Sequence, residues 1–94
     1  MARVVIRLEV IEEGELDLVP KEQLKKALRR VRDEPTAGKP LLRELAGCRS
    51  IRVGGAENRL IYRYDAANDQ VEVIAIERRR DDEAYDRAQK RVRP

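Results

Sequence analysis

The residues of this chain best suited to chemistry are arginines gathered in one stretch, Cys48 to Tyr85, where Arg52, Arg59, Arg63 and Arg79 stand with Ser50 and Glu77. A guanidinium presents planar, permanently charged donors that match the oxygens of a phosphate. Successive side chains of a strand alternate between faces. Parity then puts Ser50, Arg52, Arg59, Arg63, Glu77 and Arg79 on one face of a small sheet, and Ile51, Val53, Leu60, Tyr62, Tyr64, Ile74 and Ile76 on the other. The cationic face is a candidate phosphodiester site. The plainer alternative is the solvated outer face of an antiparallel sheet. The chain has no histidine and a single cysteine, which excludes a pair of imidazoles for acid–base work and leaves no donor set for a structural zinc. No metal and no cofactor is expected.

The elements that must carry these residues can be read around them. Residues Ile51 to Val53 end one strand, and Gly54-Gly55 supply a permissive turn. Arg59 to Asp65 alternates cleanly as a second strand. Ala66-Ala67-Asn68-Asp69 is short and polar enough for a hairpin loop, and Val71 to Ile76 is an apolar run suited to a central strand. That run delivers Arg78-Arg79-Arg80 at its far end. Asp81-Asp82-Glu83 then places acids at the start of a last helix, with Tyr85, Ala88, Gln89 and Val92 at helical spacing and Arg87, Lys90, Arg91 and Arg93 as a basic exit.

In the first half, Arg3 to Ile11 is expected to be a strand and Glu12 to Leu18 a solvated acidic turn. Pro20 sits well at the first turn of a helix running to about Asp33, since its missing donor is not needed there. Leu24, Ala27, Leu28 and Val31 form its apolar stripe, while Lys21, Lys25, Lys26, Arg29, Arg30 and Arg32 lie on its outer side. That side is either an ordinary solvated face or a contact for RNA or an acidic partner. Pro35 ends the helix, Thr36 to Pro40 is a loop, and Leu41 to Ala46 is one helical turn before Gly47. The expected fold class is α+β, with a small antiparallel or mixed twisted sheet of about four strands packed against helices.

Composition bounds the rest. Ninety-four residues make one domain, 1–94, with a modest core. Hydrophobic and charged residues each supply 41% and the formal net charge is only +3. The patterning is therefore that of a folded domain, and charge alone gives a weak case for nucleic acid. Sixteen of the 21 basic residues are arginine, which favours a fixed site over a loose polycationic arm. No signal-peptide pattern or run of transmembrane length is present, so no membrane association and a cytoplasmic location are expected.

The order Leu45-x-Gly47-Cys48, a strand with basic Arg52, a glycine turn, Asn58-Arg59-Leu60-Ile61-Tyr62-Arg63, a short turn, Val71-x-Val73-Ile74-Ala75-Ile76-x-x-Arg79-Arg80 and then Tyr85 resembles the RelE/ParE toxin superfamily of prokaryotic toxin–antitoxin systems. The resemblance runs from Leu45 to about Val92. It implies a RelE-like fold and, in the RNA-cleaving branch, a ribosome-dependent endoribonuclease acting on mRNA. Residues lining the site in that branch fall here on Arg52, Arg59, Arg79 and Tyr85. The resemblance thus implies Arg59, Arg79 and Tyr85 as catalytic, with Arg52, Arg63 and Ser50 contacting RNA. Arg59 and Arg79 would stabilise the charge that accumulates on the phosphoryl oxygens, and Tyr85 would carry a proton.

Two departures are visible. Ser50 stands where close RNA-cleaving relatives place a lysine, with Glu77 as a substitute base or an ion-pair partner. A strand and one clear helix stand where the family has a two-helix hairpin. Two other readings remain open: a ParE-like inhibitor of DNA gyrase, and a diverged, non-catalytic binding protein of the same fold. The implied partners are a cognate antitoxin, in a toxin–antitoxin hetero-oligomer, together with the ribosome and mRNA.

Overall fold

The structure is a computed structural model and describes residues 1–54, 58–77 and 83–92, with the backbone alone for 83–85. Its centre is a mixed sheet of β1 (Arg3–Ile6), β2 (Lys39–Pro40), β3 (Cys48–Arg52), β4 (Arg59–Asp65) and β5 (Gln70–Glu77). Their order across the sheet is β1-β5-β4-β3-β2, with β1 parallel to β5 and the other pairs antiparallel. The α+β class is as expected, and the two-residue β2 makes the sheet one strand wider than predicted. The β4–β5 loop falls on residues 66–69, where Asp69 takes a positive φ of 48°. Gly54 likewise has φ 73°, the conformation expected of it at the end of β3.

Helix α2 (Lys21–Asp33) lies on one face of the sheet. Pro20 occupies its N-cap, so the helix begins at Lys21, one position after the predicted start. Leu24, Ala27 and Val31 are buried against Ile51, Val53, Leu60, Tyr62, Val71, Val73 and Ile76. The stripe and the strand faces were both expected, except at Ile74. A β-bulge shifts the β4–β5 register so that Ile61 opposes Ala75 while Tyr62 opposes Val73. Ile74 is the extra residue, and the strand's parity reverses across it. It therefore packs with Leu45, Cys48, Ile61, Ala75 and Ala88 in a second core on the opposite face, beneath α3 (Glu83–Val92) and the 3-10 turn Arg43–Leu45.

The amino-terminal expectations need correction. The first strand ends at Ile6, and Leu8–Glu12 form a short helix, α1. Helical spacing turns only Val10 inward, leaving Leu8 and Ile11 exposed; alternation of apolar residues here was a poor guide because two of them face outward. Gly14, at φ 72°, then reverses the chain into a 3-10 turn, Glu15–Asp17. This segment is no solvated loop, because Glu15 is only 3% exposed. A short helix thus precedes α2 after all.

Glu15 answers a backbone need. β1 makes its last contact with β5 through the Arg7 amide on Val73 O, so among the described residues β5 runs on without a strand on that side. In place of a strand, Glu15 Oε1 accepts the Ile76 amide at 3.0 Å, and Arg91 Nη1 donates to the Ile74 carbonyl at 2.7 Å. The two side chains also bond each other, and Arg91 reaches Glu13 at 3.2 Å. Buried polar groups need such partners. The same cluster ties α3 to the sheet.

Tyr62 performs a similar service on the α2 side. Its hydroxyl donates to Pro35 O at 2.7 Å and accepts from the Gly38 amide at 2.9 Å, which fixes the loop into β2. A Cβ at Gly38 would lie 2.7 Å from that hydroxyl, so the close approach requires glycine. Burial raises the Tyr62 phenol above its ordinary pKa, and it remains a donor at neutral pH. Tyr62→Phe is expected to cost about 1–3 kcal/mol because it leaves a buried amide without an acceptor, read as a lower urea midpoint.

Candidate active site

The strand register decides which candidate residues share a place. Arg52 stands opposite Arg59, and Arg59 opposite Glu77, in one rank across β3, β4 and β5. The next rank on that face holds Ser50, Ile61 and Ala75. Beyond it come Cys48, Arg63 and Glu72. The face expected to be continuously cationic is therefore interrupted by the second core. Its charges are split between the two ends.

At one end, Arg52 is exposed and Arg59 half-buried. Neither makes a side-chain hydrogen bond or ion pair with any described residue. Like charges placed directly across two strands repel. Two unpartnered guanidinium groups side by side are thus an electrostatic cost to the fold, and they form a ready site for an anion with several oxygens.

Glu77 completes the rank but turns toward α3, where Arg87 Nη2 donates to it at 3.1 Å. Only 7% exposed, it takes the ion-pair role that was one of its two expected readings. Arg87 also bonds the Ile76 carbonyl at 3.0 Å and lies 3.3 Å from Glu15. Arg87 and Arg91, expected in a basic exit, instead belong to the buried cluster. The inward spacing of Arg91, three residues after buried Ala88, was a signal that could have found it. Glu15 gave no such signal, because no periodic pattern surrounds it.

Ser50 is 5% exposed and its hydroxyl has no hydrogen-bond partner among the described residues. Such a group costs on the order of 1–3 kcal/mol when buried. It lies between Arg52 and the second core. Arg63, at the far end, pairs with Glu72 at 2.7 Å; four residues of strand put it roughly 13 Å from Arg59. The expected residues thus separate into an Arg52, Arg59 and Ser50 group and a remote Arg63. Arg79, with its neighbours Arg78 and Arg80, lies outside the described residues. Tyr85 is carried by α3, and its side chain is likewise outside them.

Cys48 sits under α3 at 2% exposure, and burial raises its thiol above the ordinary value. The thiolate, the reactive form, is disfavoured while the fold holds. Native protein at about pH 8 is therefore expected to react with a thiol reagent far more slowly than urea-unfolded protein, whose free cysteine titrates near 8.5. Equal rates would contradict the packing.

Among the described residues, no helix is long and apolar enough to cross a membrane. The family model described as the ParE toxin of type II toxin–antitoxin system, parDE, matches residues 20–83. No curated protein matches significantly. Among solved structures, a mutant of the E. coli toxin RelE in the free state superposes with a TM-score of 0.77 at 28% identity, covering 99% of this chain and 100% of that one. The RelBE2 toxin–antitoxin complex of Mycobacterium tuberculosis contributes a chain matching at 30% identity and TM-score 0.65, covering 83% of this chain and 98% of that one. The intact E. coli RelBE toxin–antitoxin complex matches at 26% identity and TM-score 0.65, over 81% and 94%.

Proposed function

The chain belongs to the RelE/ParE superfamily of toxins of type II toxin–antitoxin systems, and on that premise we propose that it is a ribosome-dependent endoribonuclease that cuts mRNA. The observation carrying this reading is the Arg52–Arg59 pair, two adjacent cations that form no ion pair with a described residue, the Glu77 opposite Arg59 being paired with Arg87. In the proposed reaction a ribose 2′-oxygen bonds to the neighbouring phosphorus while the bond from phosphorus to the 5′-oxygen breaks. The proton leaves the 2′-hydroxyl and another reaches the departing 5′-oxygen, giving a cyclic phosphate and a 5′-hydroxyl end. Negative charge concentrates on the phosphoryl oxygens in the transition state. Preorganised arginines then stabilise that state more than the ground state.

Arg59 and Arg79 are assigned to that charge and Arg52 to a secondary contact. Ser50, expected to contact RNA, has its hydroxyl buried away from solvent and is assigned no direct contact. Tyr85 is assigned the proton transfer. Arg63, remote and already paired, is assigned to a flanking part of the message. The partners on this reading are the ribosome, mRNA and a neutralising antitoxin in a hetero-oligomer, and the protein acts in the cytoplasm.

A second reading follows from the name of the matched family, ParE, whose resemblance implied a gyrase inhibitor. The two are separated by mapping message 5′ ends in a translation extract with purified protein, with Arg79→Ala, and with ribosomes omitted. New ends inside translated codons that require both ribosomes and Arg79 are the expected result. Intact message with inhibited gyrase supercoiling would replace this reading with the second.

A further inference from the structure

Beside the site, between α2 and the end of β3, lies a cleft of about 190 Å³. Lys26 and Arg30 border it from the helix, Arg52 from the strand, and buried Ala27 and Ile51 line its inner wall. Gln23 closes one end against Gly54, where even a methyl group would collide with its amide. The three cations are exposed and make no ion pair with a described residue. Lys26 and Arg30 are one turn apart, a spacing at which like charges destabilise a helix. Glu22, within reach of Lys26 by the same spacing, pairs with Lys25 instead, at 3.8 Å.

Cations that form no ion pair with a described residue thus extend from Arg59 through Arg52 to Lys26 and Arg30. Arg52 belongs to both ends, since it opposes Arg59 on the sheet and borders the cleft at the sheet's margin. Acids are abundant in this chain, 18 against 21 bases, yet Glu77 opposite Arg59 pairs with Arg87 and Glu22 near Lys26 pairs with Lys25. These cations are spread over a helix and two strands rather than gathered at one point. That arrangement suits a polyanionic strand better than a single compact anion. We infer that the cleft holds backbone phosphates of single-stranded RNA adjoining the phosphate at Arg59. The inference rests on the proposed endonuclease reading for its direction and names a subsite which that reading does not contain.

The test uses a short single-stranded 2′-O-methyl oligoribonucleotide, which lacks the attacking hydroxyl, so binding is read without cleavage. Its affinity is measured by fluorescence anisotropy across a salt series for the full chain, for Lys26→Gln/Arg30→Gln, and for Lys21→Gln/Arg29→Gln. The second pair removes equal charge from the same helix away from the cleft. Thermal melts establish that both variants fold. The cleft pair is expected to weaken binding at low salt and to reduce the slope of log K against log salt by about 1–2. The control pair is expected to change the slope much less.

Equal losses from the two pairs would overturn the inference by showing only a general charge effect. So would an unchanged slope, or no binding by the full chain at low salt. A cleft pair that weakens capture of the antitoxin but not of the oligonucleotide would make the cleft a protein-binding surface, and would also overturn it. Slope loss confined to the cleft pair, together with intact message in the translation extract, would leave the RNA cleft standing while the endonuclease reading fell.

Discussion

Arg59→Ala is expected to lower ribosome-dependent message cleavage by about 10²–10³-fold, the usual consequence of deleting one preorganised donor from a charge-stabilising site. The same change should leave the melting temperature nearly untouched. Arg59 has no side-chain partner among the described residues, and a substitution away from packed or paired groups is worth about 0.5 kcal/mol or less. Removal of its charge also relieves the repulsion with Arg52 across the strands. This separation of activity from stability makes the variant informative. Arg59→Lys keeps the charge but loses the planar fork, and should fall between wild type and alanine. Cleavage at the wild-type rate in Arg59→Ala, followed as a time course of new 5′ ends, would remove Arg59 from the site.

Glu15→Ala is expected to have the opposite profile, a large loss of stability caused by a residue outside the site. It would leave the buried Arg91 guanidinium with only the exposed carboxylate of Glu13 as counter-charge among the described residues, and the Ile76 amide without its acceptor. Breaking one side of a buried ion pair costs on the order of 3–5 kcal/mol, against a total stability of about 5–15 kcal/mol for a domain. Glu15→Gln keeps an oxygen that can accept from Ile76 and should lose less. For comparison, the exposed pair of Arg63 and Glu72 is worth about 0–1 kcal/mol. The check is the urea midpoint of each variant. A Glu15→Ala protein as stable as wild type would refute the weight given to this cluster.

The parts of the fold that could be read from sequence were those with an uninterrupted pattern. Leu24, Ala27 and Val31 keep one helical stripe, and Leu60 and Tyr62 keep one strand face. Arg52 and Arg59 were placed together correctly because no irregularity intervenes between β3 and β4. The bulge at Ile74 could not be read, since a run of apolar residues on a strand covered on both faces carries no parity. Without the bulge there was no sign of the second core that divides Arg59 from Arg63. The change from β1 to α1 was hidden for a different reason: Leu8 and Ile11 look like core residues and lie outside it. Glu15 and Arg91 were hidden because burial of charge is decided by partners distant in sequence, here 76 residues apart.

The acceptor for the Ile76 amide is a side chain, where an interior strand would have another strand. Strand amides ordinarily exchange with solvent deuterium only when the ladder opens, a motion as rare as global unfolding in a central strand. Exchange at Ile76 is governed instead by departure of one carboxylate, held in turn by Arg87 and Arg91 of α3. Its exchange rate should therefore follow the undocking of α3, while its neighbours on β5 follow the sheet. A single amide becomes a reporter of whether the helix carrying Tyr85 is seated.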